Sequence, residues 1–553
     1  MTPTRDLLRR DQAFDRWGEE GQAPELGPAT RAMLAERIGT AEPLPRVSMG
    51  SIDLPQAAPI PDPVIAAAGG PDSVSASDED RIRHSGGKGY PDLIRMRGSR
   101  LDQAPDAVLA PPDAAAVAAV LEACSGERIA VVPFGGGTSV VGGVAPERAD
   151  LDRLVALDLT ALRHVEVDPI SMSARLGPGL RGPEAEAALN EAGFTLGHFP
   201  QSYRYATIGG FAATRSAGQS SSGYGRFDAV ANEIELTTPV GAMRTLQTPH
   251  TAAGPSLREL VLGSEGVLGV ITDVGVRIRP DPEHKVYEGW FAPGFAEGIE
   301  MIRALAQEDS LPEVVRLSDR DETEVSLALS GLEGMKRSAL EGYLRLRGRS
   351  DGCMVIAGWE GDRESVERRR QISRRILRRS GAVPLGSSPG RSWAHGRFEG
   401  PHLRDVLIDE GFLVETLETS HTYARVGELY DAVRGALGAE IERGGGGGIV
   451  MCHVSHAYRD GASLYFTFLT PAHPGAEIEQ WRGLKGAACE AIVATGGTIT
   501  HHHAVGLDHV PYMEAEIGEL GIDALLGVKS RLDPAGIMNP GKLVGTGPDA
   551  PTS

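Results

Sequence analysis

Three vicinal histidines, His501-His502-His503, and three loops of small residues hold most of the chain's recognisable chemistry. Imidazole takes or gives a proton near neutral pH and pairs with an anion once protonated, so the triplet reads as a catalytic cluster. A metal site and a solvent-exposed run are the other two readings. If the triplet continues the strand-like AIVATGGTIT, His501 and His503 share one face and His502 points away. The three could then not easily hold one ion, and no further ligand is spaced to help, so no metal is expected.

The first loop is Pro133-Phe134-Gly135-Gly136-Gly137-Thr138-Ser139. Consecutive glycines after a strand turn successive N–H groups into one concavity, which suits a phosphate or pyrophosphate. Val140 stands where G-x-G-x-x-G needs its last glycine, and no Gly-Lys-Ser/Thr follows, so neither a Rossmann nor a Walker A loop is present. The second loop lies within PQSYRYATIGGFAATRSA (200–217) and offers Gln201, Ser202, Tyr203, Arg204, Tyr205, Ala206, Thr207, Thr214, Arg215, Ser216 and Ala217. The third is Gly263-Ser264-Glu265-Gly266-Val267-Leu268-Gly269. Three such loops in one region point to a single extended ligand with several polar parts, and a dinucleotide fits.

The chain that must position these groups has 553 residues, 41% hydrophobic and 24% charged, which is ordinary globular usage. A net charge of −20 makes nucleic acid or an anionic membrane surface a poor partner, and an anionic substrate then needs a local basic cluster. No apolar run reaches the length of a transmembrane helix. Cys124, Cys353, Cys452 and Cys489 lie far apart with no CxxC, which fits reduced, buried thiols in a cytosolic protein. The opening MTPTRDLLRRDQAFDRWGEEGQ lacks a secretory apolar core, and the closing GPDAPTS is no peroxisomal address. Arginine far outnumbers lysine, a weak pointer to a bacterial source.

Residues 1–85 read as short helices between proline-broken loops, for example 28–38, and as a wrapping arm. From 86 to 282 a helix at 111–124 and strands at 128–134, 163–168, 232–239 and 267–279 give an α+β pattern rather than a regular βαβ repeat. From 283 to 500 a second α+β region has strands at 353–361, 447–458 and 463–470 and amphipathic helices at 362–380 and 422–443. Residues 501–553 begin with the triplet and form a closing segment.

PFGGGTS, ATIGGFAATRSAG and LVLGSEGVLGVIT resemble the flavin domain of the vanillyl-alcohol-oxidase/PCMH superfamily, and the terminal LDPAGIMNPGKL is similar to that superfamily's usual ending. The resemblance implies a PCMH-type FAD domain of two α+β lobes, an α+β cap over the flavin, and a C-terminal return. Neither His nor Cys occurs between Cys124 and His164, so the FAD is expected to be non-covalent.

His-His-His-Ala-Val-Gly stands where that superfamily's lactate and glycolate dehydrogenases carry a Gly-Glu-His-Gly-type run. It resembles the alkyldihydroxyacetone-phosphate synthases of ether-lipid synthesis, as do 77–111, 357–367, 401–426 and 451–468. The resemblance implies an exchange of the acyl chain of acyl-dihydroxyacetone phosphate for a fatty alcohol through a flavin N5 adduct. It places Tyr465 on the catalytic tyrosine, His501, His502 and His503 on the essential triplet, Arg404 on the substrate-binding arginine and Arg316 on a second functional arginine. Asn539–Leu543 matches another required stretch, whereas His453 stands where many members have arginine. Read without the resemblance, Tyr465 is more often a core strand residue and Arg404 with Asp405 a plain surface helix pair. The alternative activity is an FAD-dependent oxidoreductase of a 2-hydroxy acid or alcohol. The expected setting is the cytoplasm, with room for peripheral membrane contact and a homodimer.

Overall fold

The structure is a computed structural model that describes residues 8–21, 26–330 and 334–544; the first seven residues and the closing GPDAPTS lie outside the described residues. Its strands and helices form a mixed α+β fold around three main sheets.

The first sheet runs in the order Val74–Ser75, Ala107–Leu109, Arg153–Asp158, Ile129–Phe134. Its last three strands are parallel, and IAVVPF and RLVALD are almost continuously apolar because both faces are covered. The helix Ala114–Gly126 starts where Asp113 accepts the Ala116 N–H, two residues after the prolines that suggested its start. The second sheet is antiparallel, in the order Val165–Asp168, Ser173–Leu176, Val270–Arg277, Ala231–Thr238, Gly241–Arg244. The strand expected from 267 begins only at Val270, because Gly269 holds φ +149°, a backbone that belongs to the preceding loop.

The third sheet has seven antiparallel strands: Val383–Gly386, His284–Ala292, Cys353–Gly361, Val314–Ser318, Ile449–Ala457, Gly461–Pro471, Phe412–Thr422. The helices Phe295–Gln307, Arg363–Arg379, Val426–Arg443 and Glu477–Thr495 cover one face over Trp290, Trp359, Phe466 and Phe468. Side chains alternate along a strand. Cys452, Val454, Leu464, Phe466 and Phe468 therefore enter that core, while Met451, His453, Tyr465 and Thr467 line a cavity on the other face.

The strand expected at 491–500 is absent. Residues 491–495 finish the helix Glu477–Thr495, where an alanine-rich turn outweighs the β-branched residues, and Gly496 (φ +72°) ends it. The triplet that follows is a bend, so strand alternation does not apply to it. The chain then forms the helix Met513–Leu532 and returns to the first sheet, where the Val131 N–H donates to Ile537 O at 2.8 Å and the Asn539 N–H to Val131 O at 2.9 Å. All four cysteines are buried and unbridged. Among the described residues, no helix is long and apolar enough to cross a membrane.

Candidate functional site

In the third sheet, register places Tyr465 between Glu418 on one neighbouring strand and His453 on the other. The Tyr465 ring stacks on His453 with centroids 4.8 Å apart and meets His503 edge-on at 5.5 Å. Burial pushes the Tyr465 hydroxyl up to about 12, so it carries its proton at neutral pH. Tyr465 thus faces the cavity rather than the core.

The histidine bend wraps around the buried Glu418. Its carboxylate accepts the backbone N–H groups of His501 (2.5 Å), His502 (3.0 Å) and His503 (2.7 Å), and the Thr500 hydroxyl at 2.7 Å. Burial pushes Glu418 up, but the surrounding histidines and N–H donors outweigh it and hold the carboxyl well below its usual range. On the opposite side, Glu265 of the third glycine loop accepts the Val505 and Gly506 N–H groups, each at 2.8 Å. Burial drives the imidazoles of His502 to about 3 and His503 to about 4 against the pull of Glu418, so both are neutral bases.

His502 and His503 line the cavity; His501 does not. His501 instead contacts the Tyr458 hydroxyl through Nε2 (2.7 Å) and His502 Nδ1 through Nδ1 (2.9 Å). The fold adds a histidine that sequence spacing hid: ring nitrogens of His456, His501 and His502 lie within 4.8 Å of one another, close enough to hold a metal ion. His456 Nε2 already donates to Gly218 O at 3.1 Å, and its Nδ1 faces the Ser455 hydroxyl at 2.9 Å.

The two expected arginines both reach the cavity wall. Arg316 donates to Glu322 Oε1 at 2.6 Å, beside His453 Nδ1 at 3.1 Å from the same oxygen. Arg404 is buried with Asp405 rather than forming a surface pair; its Nη2 donates to Lys88 O at 2.6 Å. Asp405 in turn accepts the Trp17 N–H at 2.5 Å, so the segment 8–21 reaches the site from the far end of the chain.

The cavity measures about 1240 Å³ and runs from the glycine loops past Tyr465 into an apolar stretch that includes Met33, Leu34, Leu340, Leu407, Val414 and Leu469. Of the expected loop residues, Pro133 to Ser139, Gln201, Ser202, Ala206, Thr207, Thr214, Ser216, Ala217, Glu265, Gly266 and Gly269 line it. The others lie behind the wall. Tyr203 stacks on Phe398, Arg204 pairs with Glu399, Tyr205 lies under Arg181, and Arg215 donates to Leu262 O. Gly263 packs on Arg215, Ser264 is buried, and Val267 and Leu268 belong to apolar clusters. The loop wall is backbone and hydroxyl, and its one carboxylate, Glu265, already accepts two N–H groups. A pyrophosphate would meet donors and little repulsion there, so the donor set fits FAD. Gly136 is required for this wall, since a Cβ would lie 2.1 Å from Tyr205 O.

Sequence reasoning missed Glu418, Glu322, His456 and Trp17. Only Glu418 had a usable signal, as it shares strand alternation with Val414 and Thr416 on the cavity side.

Two family models match the chain: FAD binding domain over residues 105–247 and FAD linked oxidases, C-terminal domain, over 281–543. The chain is 33% identical to an alkyldihydroxyacetonephosphate synthase of Trypanosoma brucei brucei over 85% of this chain and 78% of that one. It is 31% identical to that of Dictyostelium discoideum, over 86% and 79%. A solved alkyldihydroxyacetonephosphate synthase structure superposes with a TM-score of 0.84 at 26% identity, covering 97% of this chain and 99% of that one.

Proposed function

The chain belongs to the alkyldihydroxyacetonephosphate synthase family, and from that premise we propose that it exchanges the acyl chain of an acyl-dihydroxyacetone phosphate for a fatty alcohol, with FAD as cofactor. The observation that carries the residue roles is the meeting of His502, His503 and Tyr465 on the wall of one cavity that joins the flavin loops to an apolar stretch.

FAD, when bound, would supply an electrophilic ring, and the exchange of one oxygen substituent for another needs no net electron transfer. His502 is neutral, and its Nδ1 is taken up by His501 at 2.9 Å, which leaves Nε2 to remove the proton beside the carbonyl and return one once the alcohol has entered. His501 holds that orientation, and His503 stands edge-on to Tyr465 as the second base of the pair. Tyr465 keeps its proton until needed, giving it to the departing carboxylate and recovering one from the entering alcohol. Arg404 and Arg316 bind substrate from the cavity wall. The apolar stretch takes the alkyl chain and shields the reacting atoms from water. Asn539 holds the flavin side together, its Nδ2 donating to Gly143 O at 3.1 Å and to Glu265 O at 2.6 Å.

Two finer proposals follow the lipid substrate. The helix Gly334–Leu346 carries Lys336 and Leu340 on the cavity wall and exposes Met335 and Leu346, so it is the surface by which the protein would rest on a membrane. A homodimer would cover the exposed Leu520 and Leu526 of the helix Met513–Leu532.

Anaerobic titration tests the activity. Acyl-dihydroxyacetone phosphate is expected to bleach the flavin, and a fatty alcohol to restore its colour without any electron acceptor. Steady reduction of an acceptor by lactate or glycolate, with no response to the phosphate ester, would establish the oxidoreductase instead.

A further inference from the structure

Three arginines line the cavity, and they differ in what already holds them. The Arg316 guanidinium is neutralised by Glu322 at 2.6 Å. Arg404 spends an N–H on Lys88 O and has Asp405 Oδ1 at 3.6 Å. Arg397 has neither: among the described residues no carboxylate lies within ion-pair distance and no protein atom accepts from its guanidinium. Glu399, two residues on, is paired with Arg204 at 2.9 Å.

Arg397 is nevertheless held in place. Its guanidinium carbon lies 4.9 Å from the ring centres of both Phe199 and Phe398, and 5.7 Å from that of Trp393. Aromatic faces hold a guanidinium by its flat side and leave the in-plane N–H groups unspent. Nη1 is enclosed with no hydrogen-bond partner. The backbone is fixed as well, because Gln219 Nε2 donates to Arg397 O at 2.9 Å and to Gln201 Oε1 at 2.8 Å. That amide ties the end of the helix Ser387–Gly396 to the second glycine loop, so Arg397 sits at the seam between flavin-binding loops and cap.

We propose that Arg397 is the cavity's principal phosphate-binding cation, receiving the phosphate monoester end of the substrate through its unspent guanidinium edge. The proposal rests on the phosphate-ester reading of the substrate given above. In a chain of net charge −20, with Glu265, Glu322 and Glu418 around the cavity, a dianion needs a cation not already cancelled by a carboxylate. A rigid arginine fork on an aromatic seat offers paired donors at little further cost in side-chain entropy.

The test titrates the FAD-loaded enzyme with dihydroxyacetone phosphate and with neutral dihydroxyacetone, following the flavin spectrum and tryptophan fluorescence. In wild type the phosphate ester is expected to bind far more tightly than the neutral compound. Arg397→Met should weaken phosphate-ester binding about 10- to 100-fold, the loss expected for a charged hydrogen-bonding pair. Flavin content and the KM for fatty alcohol should stay unchanged. Arg397→Lys should fall between the two, since it keeps the charge and loses the fork. Wild-type affinity in a flavin-replete Arg397→Met variant would overturn the proposal. Loss of flavin or of folding in both variants would overturn it too, assigning Arg397 to the cofactor or to the framework. A wild-type enzyme that does not distinguish the two probes would instead overturn the phosphate-ester reading, and this proposal with it.

Discussion

Glu418 lies directly opposite Tyr465 in the register of two adjacent strands, and the same carboxylate accepts the His503 N–H at 2.7 Å. One buried acid therefore fixes the distance between the cavity-facing tyrosine of the sheet and the histidine bend, which arrives from a separate part of the chain. Glu265 holds Val505 and Gly506, just beyond that bend, from the side of the third glycine loop. The triplet is thus gripped between two carboxylates, one from the cap sheet and one from a glycine loop.

Glu418→Gln is expected to loosen this grip. An amide in that place turns two donors toward backbone N–H groups that need acceptors. Each buried donor left without a partner costs on the order of 1–3 kcal/mol. The variant should keep its flavin, melt at a lower temperature and lose most of its turnover. Calorimetry and a rate assay on the same preparation check this; unchanged values for both would show that the carboxylate does not position the triplet.

Tyr465→Phe separates chemistry from packing. The ring contacts with His453 and His503 survive the change, and only the hydroxyl is lost. Turnover is expected to fall about 10²- to 10⁴-fold, the usual contribution of a general acid/base, with flavin content and melting temperature retained. Activity near that of wild type would make Tyr465 a wall residue only.

The flavin should come away on denaturation. The first loop holds no histidine or cysteine, and His198, just before the second loop, is buried between Phe211 and Phe227 with its Nε2 on the Ser216 hydroxyl. Acid precipitation is expected to leave all the yellow colour in the supernatant. Colour retained in the washed pellet would mean a covalent link.

Local pattern was enough for much of this fold. The strand Cys353–Gly361 falls where its apolar run ends in turn residues, and the helix Arg363–Arg379 follows an Asp362 that caps it by accepting the Ser365 N–H. Pattern failed at AIVATGGTIT, where β-branched residues suggested a strand and tertiary packing of Cys489 and Ile492 keeps a helix. The triplet and Tyr465 were visible as residue types, but what brings them together was not. Glu418 is 83 residues from His501, and nothing local to either announces the contact. Arg397 was hidden for the opposite reason. Its importance lies in the partners it lacks, and a lack of partners is not written in any spacing.

The buried imidazoles also set how the protein responds to acid. Burial drives His198, His502 and His509 to about 3 and His503 to about 4, and it lowers His453, His456 and His501 as well. An unfolded histidine titrates near 6.5, so between these values the unfolded chain binds more protons. This stabilisation is complete above about pH 6.5 and is lost as the pH falls. Four buried carboxyls act the other way: Glu265, Asp319 and Asp508 are pushed up to about 7 and Glu186 is raised, all by burial. Their protonated forms favour the folded state as the pH falls from about 7 toward 4. The lowered histidines outnumber the raised carboxyls, so on balance the unfolded chain gains protons as the pH falls. The melting temperature is therefore expected to fall between pH 6 and 5. Below that, Glu418 and Glu322, both held low, add to the loss as they are protonated. Thermal melts at half-unit steps check the sign: a melting temperature that rises from pH 7 to pH 5 would mean that the carboxyls, not the histidines, dominate the buried titration.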